Sequence, residues 1–582
     1  MSYPKIPLAQ QVIQLVKAKG INHVVISPGS RNAPLTIGFS NHPEIKSYSI
    51  VDERCAAFFA MGIAQKLQEP VAVVCTSGSA LLNYYPAIAE AFYTNIPLIV
   101  LTADRPKHLI DVGDGQTIRQ ENVFEKHILY SANLKQDLVV NDERFGKDRD
   151  IPSFIIDKLS GIDDKLVNFN QKEINKAINV AITKRGPVHI NIPFAEPLYD
   201  TQQEFTEKIT LLKPDFNIDT VDTTVFKEFI KNWNGANKKM VLVGVKQPNT
   251  LDKEVVEFLG NDESTIVFTE TTSNIHHANF FPSIDKIIAP LTEEEFIDLQ
   301  PEVLLTFGGL IVSKKIKAFL RTYKPKYHYH ISSVRALDTF FSLTYHFNCR
   351  PNYFFNQMIQ FVEKTKSTYQ SNWLSKKAER ADKHQKYLKR QLFSDLKVFE
   401  NIIESLPNNI GLHLSNSSTI RYMQLFDNNP TIEQYCNRGT SGIDGSTSTA
   451  IGHSVVSNKQ QVLITGDLSF FYDSNALWNN YIPSNFRIIV INNNGGGIFR
   501  ILPGNKNTEN FETYFETTHN LTAKHLCEMY GITYAHATDE ANLKMSLKSF
   551  FKDNKQPKLL EVFTPRIIND ELLIGYFKHF ID

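Results

Sequence analysis

Short runs rich in β-branched and other apolar residues alternate with helical stretches along the whole chain. HVVIS, VAVVCTS, PLIVLTA and VHINIP come first. MVLVGV, STIVFTE, VLLTFGG and YHYHIS follow, and IGLHLS, QVLITG, FRIIVIN and KLLEVF make a third set. Strands that read as continuous apolar runs and are separated by helices belong to parallel sheets covered on both faces. The chain is therefore predicted to be α/β three times over, as three doubly wound parallel-sheet domains. At 582 residues it is also too long for one core, since single cores stop growing at roughly 250 to 300 residues. Polar stretches after Pro193-Phe-Ala-Glu-Pro197 and at 364–391 mark the breaks and give domains at 1–197, 198–375 and 376–582. The stretch at 364–391 predicts an exposed connecting helix. The polar segment from about 135 to 175 predicts a surface excursion of the first domain.

Composition narrows the function classes. Lys plus Arg and Asp plus Glu both number 62, a formal net charge of +0. That balance argues against a general binder of nucleic acid or anionic membrane, which relies on surplus cations. Any charge selectivity must be local. Cys55, Cys75, Cys349, Cys436 and Cys527 are scattered without CxxC spacing, as expected of reduced thiols and not of a disulfide frame or a zinc site. The N-terminal MSYPKIPLAQQVIQLVKAKG reads as an amphipathic helix, and no secretory leader is expected there. Apolar runs such as IPLIVLT fall far below the ~20 residues of a membrane span, so no membrane insertion is expected and the expectation is a cytoplasmic protein.

Two separated segments could do chemistry. Gly466-Asp467 ends the run QVLIT, and Asn492-Asn493-Asn494-Gly495 ends FRIIVI. Both therefore stand at C-terminal strand edges, where open α/β sheets bind ligands. The Asp467 carboxylate, the Asn493 amide oxygen and the Gly495 carbonyl are hard oxygen donors suited to magnesium. Asn494-Gly495-Gly496-Gly497 leaves bare N–H groups to meet a diphosphate. Asn and Gly are also the usual turn residues, so either piece alone reads as a strand-ending turn. Their joint spacing and matching strand context favour a grip on a ligand. Near the start, Glu53 heads the helix pattern CAAFFAMGIAQK. Acidic residues are common in first turns, where they suit the macrodipole. Its neighbours argue for more: Ser27-Pro28-Gly29-Ser30-Arg31 ends one strand, and Thr76-Ser77-Gly78-Ser79-Ala80 with Asn83 ends another. Three strand ends converge beside that carboxylate.

The order SPGSR, DERxAAFxAxGxA, TSGSAxxNYYPAxxEA and PLIVLTADRP resembles the pyrimidine-binding domain of the thiamine diphosphate enzyme superfamily. The GD…NNNG pair resembles that superfamily's diphosphate-binding domain. TADRP, Asp114-Gly-Gln116-Thr-Ile-Arg119-Gln120, NRGTSGIDG at 437–445, GDLSFFYD and NNNGGGIF resemble one branch of it, transferases of menaquinone biosynthesis that join 2-oxoglutarate to isochorismate. The superfamily's usual Gly after the metal Asp is replaced by Leu468-Ser469, which looks typical of the branch. The match is dense over the first and third domains and loose over the middle one, which shows no GxGxxG and is expected to be architectural.

The resemblance implies thiamine diphosphate with Mg2+ or Mn2+, and a fold of the thiamine diphosphate-enzyme type. It implies that Glu53 is the catalytic residue that hydrogen-bonds the aminopyrimidine ring and favours its imino tautomer, and that Asp467, Asn493 and Gly495 hold the metal. Cofactor contacts are expected from Pro28, Gly29, Thr76, Ser77, Gly78, Asn83, Ser441, Gly442, Ile443, Gly466, Leu468, Ser469, Gly496 and Ile498, with Ile443 propping the cofactor in a bent shape. The branch's two substrates are both dicarboxylates, and a planar guanidinium meets a carboxylate bidentately. Arg31, Arg105, Arg119, Arg421 and Arg438 lie in the motif segments and are expected to bind them. Ser30, Gln116, Lys314 and Ser417 are further substrate candidates, and Phe499 and Leu502 an apolar wall. The resemblance further implies a homodimer, or a pair of such dimers, with the first domain of one subunit serving the third domain of the other.

Three rivals remain at this level. A carboligase acting on pyruvate, such as an acetolactate synthase relative, would leave the arginine set unexplained because pyruvate has one carboxylate. A noncatalytic binding protein would have no reason to keep Glu53, Asp467 and Asn493 together. A nicotinamide dehydrogenase would require the missing GxGxxG.

Overall fold

A computed structural model describes residues 2–137, 153–427, 429–502, 504, 506 and 508–581. By compactness these fall into two units. The first takes in the residues up to Asn217 together with Thr447–Asn458 and Asp473–Ile482. The second holds Ile218–Ser446, Lys459–Tyr472 and the residues from Pro483 onward.

The first unit is built on a six-stranded parallel sheet. Its strands are β1 (His23–Ile26), β2 (Lys46–Ser49), β3 (Val71–Cys75), β4 (Leu98–Asp104), β5 (Ser131–Asn133) and β6 (Val188–Pro193), in the order β2-β1-β3-β4-β6-β5. β3 and β4 are buried along their whole length, as their continuous apolar runs require. The chain leaves β1 for one side of the sheet and returns to the other at β3, so the topological switch point lies between the ends of β1 and β3. Pro7–Ala18 is helical as expected, with Leu8, Val12, Ile13 and Val16 in the core. The segment expected as a surface excursion, 135–175, is exposed or half-buried at 135–137 and 164–169 and turns inward from Asn170. Ser153–Lys184 is one long helix, and Ile174, Ala177, Ile178 and Ala181 on it are wholly buried. Its apolar positions recur at helical spacing within a polar composition, which masks them in a search for strands. Residues 138–152 of that expectation lie outside the described residues.

The second unit carries two parallel sheets. The first of these holds β7 (Lys239–Val243), β8 (Thr265–Thr269), β9 (Val303–Phe307), β10 (Tyr327–Ile331) and β11 (Leu343–Phe347), in the order β8-β7-β9-β10-β11. Its switch point, between β7 and β9, is filled by its own loops. The Gly309 N–H donates to the Val245 carbonyl at 2.7 Å, and a Cβ on Gly244 would stand 2.0 Å from the Gly309 oxygen. The two loop backbones thus meet directly at that point.

The other sheet has six strands: β12 (Gly411–Leu414), β13 (Glu433–Tyr435), β14 (Gln461–Gly466), β15 (Arg487–Asn492), β16 (Thr533–Ala537) and β17 (Lys558–Phe563). Their order is β13-β12-β14-β15-β17-β16. It repeats the topology of the first unit's sheet, with the switch point between β12 and β14. Three doubly wound parallel sheets are thus present, as predicted.

The helix expected within 364–391 runs over Tyr369–Leu388, but it is not simply exposed. Tyr369 and Trp373 belong to a core beside the five-stranded sheet, and Leu388 to the core of the six-stranded one. Arg380 donates to the Phe580 carbonyl, and the His384 ring bonds the Tyr576 hydroxyl at 2.7 Å. Lysines cover the outer face while a sparse apolar stripe does the packing. All five cysteines are buried, and none forms a disulfide among the described residues. No helix among the described residues is long and apolar enough to cross a membrane.

Four histidines are buried where they must stay neutral. The Thr306 hydroxyl lies 2.9 Å from both His328 Nε2 and His330 Nδ1, and Thr102 bonds His189 at 2.7 Å. Burial pushes His189, His330 and His384 down to about 3 and His328 down to about 4. Their folded values lie below the unfolded value near 6.5, so their contribution to stability is complete above about pH 6.5 and is lost as pH falls toward 3 to 4. Each should cost about 1.4 kcal/mol per pH unit across that window. The expected result is a Tm that declines steadily between pH 7 and pH 5 in calorimetry. A flat Tm over that interval would show that these imidazoles do not resist protonation.

Candidate active site

In the first unit, the loops after β1 and β3 press together at the switch point. A Cβ on Gly29 would lie 2.3 Å from the Thr76 Cβ, so only glycine allows the approach. Gly78 takes φ 86°, and its N–H donates to Gln120 Oε1 at 3.0 Å. Gln120 is buried and donates in turn to the Ala103 carbonyl and Asn191 Oδ1. That network also sets the loop holding Gln116, whose backbone lies against Gly78. The Thr76 and Ser77 hydroxyls are buried without a hydrogen-bond partner among the described residues. Orphaned polar groups at a strand-end crevice are expected of a site that a polar ligand completes. Pro28, Gly29 and Ser30 are exposed at its rim, as is Asn83 at the end of the short helix Ala80–Asn83.

Glu53 is the first residue of the helix Glu53–Leu67. Asp52 caps that helix by accepting from the Cys55 N–H at 3.0 Å, and Asn475 fixes the cap's other oxygen at 2.8 Å. Burial raises the Glu53 carboxyl above its ordinary range, opposed by its own backbone N–H and helped by Asp52. A support invisible in the sequence lies beneath. Asp473 is buried, accepts from the Ser448 N–H at 2.7 Å and its hydroxyl at 2.9 Å, and takes the Cys55 thiol at 3.7 Å. Burial pushes Asp473 up to about 6.

Arg31 and Arg105 form a cationic pair. Arg31 is buried, donates to the Phe194 carbonyl at 3.0 Å and pairs with Glu196 at 3.2 Å. Burial and then the nearby Arg105 guanidinium lower its proton affinity. Arg105 pairs with Asp114 at 3.2 Å. Arg119 stands apart, its side chain 84% exposed and paired with Asp111 at 2.8 Å.

The second unit holds the other set of predicted residues around a cavity of about 180 Å³ at the switch point of the six-stranded sheet. Asp467, Asn493, Ile443, Ser417, Ile498 and Phe499 are among its walls. Asp467 begins the helix Asp467–Tyr472 directly after β14. Its Oδ1 accepts from the Leu468 N–H at 2.6 Å and its Oδ2 from the Gly495 N–H at 3.0 Å. Asn493 donates its Nδ2 to Asp395 at 2.9 Å, and its Oδ1 is buried without a partner among the described residues. Asp395 lies too far away in sequence for any spacing rule to link it to Asn493. Its other oxygen accepts from Thr564 at 2.6 Å, and burial pushes it up to about 6. Gly495 takes φ 150°, and a Cβ there would meet the Glu516 carbonyl at 2.7 Å. Leu502 is exposed beyond the short helix Ile498–Ile501.

The walls are tied together. Ser469 donates to the Ile443 carbonyl at 2.6 Å, holding out a side chain that is 37% exposed. Asn416 donates to the carbonyls of Asn437 and Gly442, both at 2.7 Å, and accepts from Arg438 at 2.6 Å. Ser441 and Ser417 take left-handed backbone angles, φ 63° and 70°. Arg421 donates to the Ser417 carbonyl at 2.6 Å, and burial followed by the neighbouring Arg438 lowers its proton affinity. A second cationic pair therefore stands here. Lys314 is exposed at the head of the helix Lys314–Thr322. Lys317, one turn on and absent from the sequence-based candidates, feels Glu270, Arg438 and Lys314 while burial lowers its proton affinity. The helical i, i+3 relation to Lys314 was the available signal.

These residues fit a diphosphate-bearing cofactor with a divalent ion. An Asp and an Asn oxygen converge, the Asn oxygen is orphaned, and bare glycine backbone follows.

Known proteins point the same way. Residues 6–128 match the thiamine pyrophosphate enzyme N-terminal TPP binding domain, and residues 417–562 match the C-terminal TPP binding domain. The chain is 54% identical to a 2-succinyl-5-enolpyruvyl-6-hydroxy-3-cyclohexene-1-carboxylate synthase from Flavobacterium psychrophilum, over 100% of both chains. It is 55% identical to the synthase of that name from Christiangramia forsetii, over 99% of both. It is 36% identical to that from Porphyromonas gingivalis, over 98% of this chain and 96% of the other. The chain belongs to the 2-succinyl-5-enolpyruvyl-6-hydroxy-3-cyclohexene-1-carboxylate synthase family of thiamine pyrophosphate enzymes.

Proposed function

We propose that this enzyme removes carbon dioxide from 2-oxoglutarate and joins the remaining four-carbon unit to isochorismate, as a transferase of menaquinone biosynthesis using thiamine diphosphate and Mg2+ or Mn2+. The observation that carries the choice of substrates is the pairing of cations, Arg31 with Arg105 and Arg421 with Arg438, in an otherwise neutral chain. Two dicarboxylic substrates give each pair an anion to neutralise.

Thiamine diphosphate, when bound, supplies the nucleophilic carbon and the electron sink that decarboxylation requires. Asp467, Asn493 and the Gly495 carbonyl are the residues that would hold the ion, and the glycine loop the diphosphate. Glu53 holds a proton at its carboxyl more firmly than an exposed glutamate does, which suits a group that shares a hydrogen bond with a ring nitrogen. Ile443 projects as a prop, and Ile498, Phe499 and Leu502 offer an apolar screen against water. The domain limits 1–197, 198–375 and 376–582, a homodimeric active unit and a cytoplasmic setting complete the reading. The buried thiols, none in a disulfide among the described residues, support the last of these.

Glu53→Gln should reduce turnover by about 10²- to 10⁴-fold, while cofactor binding and Tm stay as they are. Product mass analysis with both substrates reads the first, and calorimetry with the cofactor reads the second. Wild-type turnover in Glu53→Gln would remove that residue from the chemistry.

Arg421→Ala should cost about 2 to 5 kcal/mol in kcat/KM, because a carboxylate would then be desolvated without its partner. Arg421→Lys should recover little, since an ammonium cannot form the two-pronged contact. Steady-state rates with 2-oxoglutarate and pyruvate decide the substrate. Equal decarboxylation of both would favour a pyruvate carboligase.

A further inference from the structure

The segment after the glycine loop is anchored to that loop at several points. Glu512–Glu516 is a π-helical turn, and Thr517 follows it in the left-handed region at φ 52°. A turn of this kind widens the helix, costs backbone stability and recurs at functional sites. The Glu516 carbonyl accepts the Gly496 N–H at 2.6 Å. His519 donates its N–H to the Asn494 carbonyl at 3.2 Å, and its own carbonyl accepts from Asn494 Nδ2 at 3.0 Å. The Glu516 side chain is wholly buried, and such burial is tolerable only when the charge is fully paired. Arg500 meets both of its oxygens, at 2.6 Å for Oε2, and Arg566 donates to Oε2 at 2.7 Å. The turn is thereby locked against the loop that carries Asn493 and Gly495.

This lock delivers one side chain to the metal carboxylate. Phe471 meets the His519 ring edge-on at 5.5 Å. The Leu521 N–H donates to His519 Nδ1 at 3.1 Å, so Nδ1 is the acceptor and the neutral ring carries its proton on Nε2. Nε2 lies 3.3 Å from Asp467 Oδ2. It is otherwise buried, and the contact is too poorly aligned to count as a hydrogen bond. With Oδ2 occupied by Gly495 and faced by His519, and Oδ1 accepting from Leu468 alone among the described residues, the open lone pair of Asp467 is on Oδ1.

We propose that His519 is a positioning residue for the metal site: its Nε2–H closes onto Asp467 Oδ2 and turns Oδ1 toward the ion. The locked turn at Glu512–Glu516 sets its distance. Outer hydrogen bonds to ligating groups commonly hold about 10- to 100-fold in metal affinity. The inference rests on the reading that Asp467 and Asn493 hold the metal.

His519→Met and His519→Gln are close in shape, and only the glutamine keeps a donor. Mn2+ binding, read by electron paramagnetic resonance in the presence of thiamine diphosphate, should weaken about 10- to 100-fold in H519M and recover in H519Q. The metal-free Tm should be alike in the two. Should H519M not fold, H519N takes its place with the same expected loss, because its shorter amide cannot reach Asp467. Unchanged Mn2+ affinity in the donor-free variant overturns the proposal, as does an equal loss in H519M and H519Q that follows a fall in metal-free Tm. If the unsubstituted protein itself binds no Mn2+ with the cofactor, the metal reading fails and the role of His519 fails with it.

Discussion

Asn493 has a donor end and an acceptor end, and the buried Asp395 carboxylate takes the donor at 2.9 Å. The acceptor is thereby turned into the cavity beside Asp467, where no other group among the described residues satisfies it. An amide free to flip would present N–H groups to a cation half the time. Asp395 removes that choice, and Thr564 in turn holds Asp395. Neighbouring contacts are built around this orientation: the Gly495 N–H donates to Asp467 at 3.0 Å, and the Glu516 carbonyl, ending the Glu512–Glu516 turn, accepts from Gly496 at 2.6 Å. A carboxylate at full burial is costly, and it persists because its oxygens meet fixed donors.

The cation pairs obey the same logic with opposite sign. Two guanidiniums close together repel, and burial makes each of them harder to keep charged. Arg31 and Arg421 both show this. Carbonyl acceptors, Phe194 for one and Ser417 for the other, orient the guanidiniums, while Glu196 on Arg31 and Asp285 near Arg421 offset part of the repulsion. A site arranged in this way spends folding stability on readiness for an anion, the familiar trade between stability and function.

How much of this was legible in the sequence depended on burial. All twelve apolar runs appear as strands because both of their faces are covered. The strands that pattern reading passed over in the three sheets are β2, β5, β11, β13 and β16, and each lies at a sheet edge. Lys-Ser-Tyr-Ser in β2 and Glu-Gln-Tyr in β13 are short, polar and partly exposed, which is how edge strands avoid further pairing. β8 is also an edge, but it is buried throughout, and its sequence reveals it. In the site, Asp467 and Asn493 could be recognised because the sheet places them at successive strand ends. Asp395, Asp473 and His519 could not, because each reaches its partner through tertiary packing across tens of residues or more. The long helix Ser153–Lys184 and the buried face of Tyr369–Leu388 were obscured by polar composition, which describes the outer face of a helix and hides a narrow inner stripe.

The five-stranded sheet is more than a spacer in the second unit. Loop backbones pack closely at its switch point, and the sheet contributes charge to the neighbouring site. Glu270, at the end of β8, is fully buried and accepts from the Val312 and Ser313 N–H groups at the head of the helix that carries Lys314 and Lys317. Gln424, just past the helix that carries Arg421, bonds the same carboxylate. Ser313 also donates to Asp285, and Asp285 and Arg421 stabilise each other's charge. Acids are thus layered behind cations. Neighbouring positive groups such as Arg421, Arg438 and Lys317 repel one another, and acids behind them offset that repulsion. Glu270 and Asp285 take that part, because an acid near a cation steadies its charge.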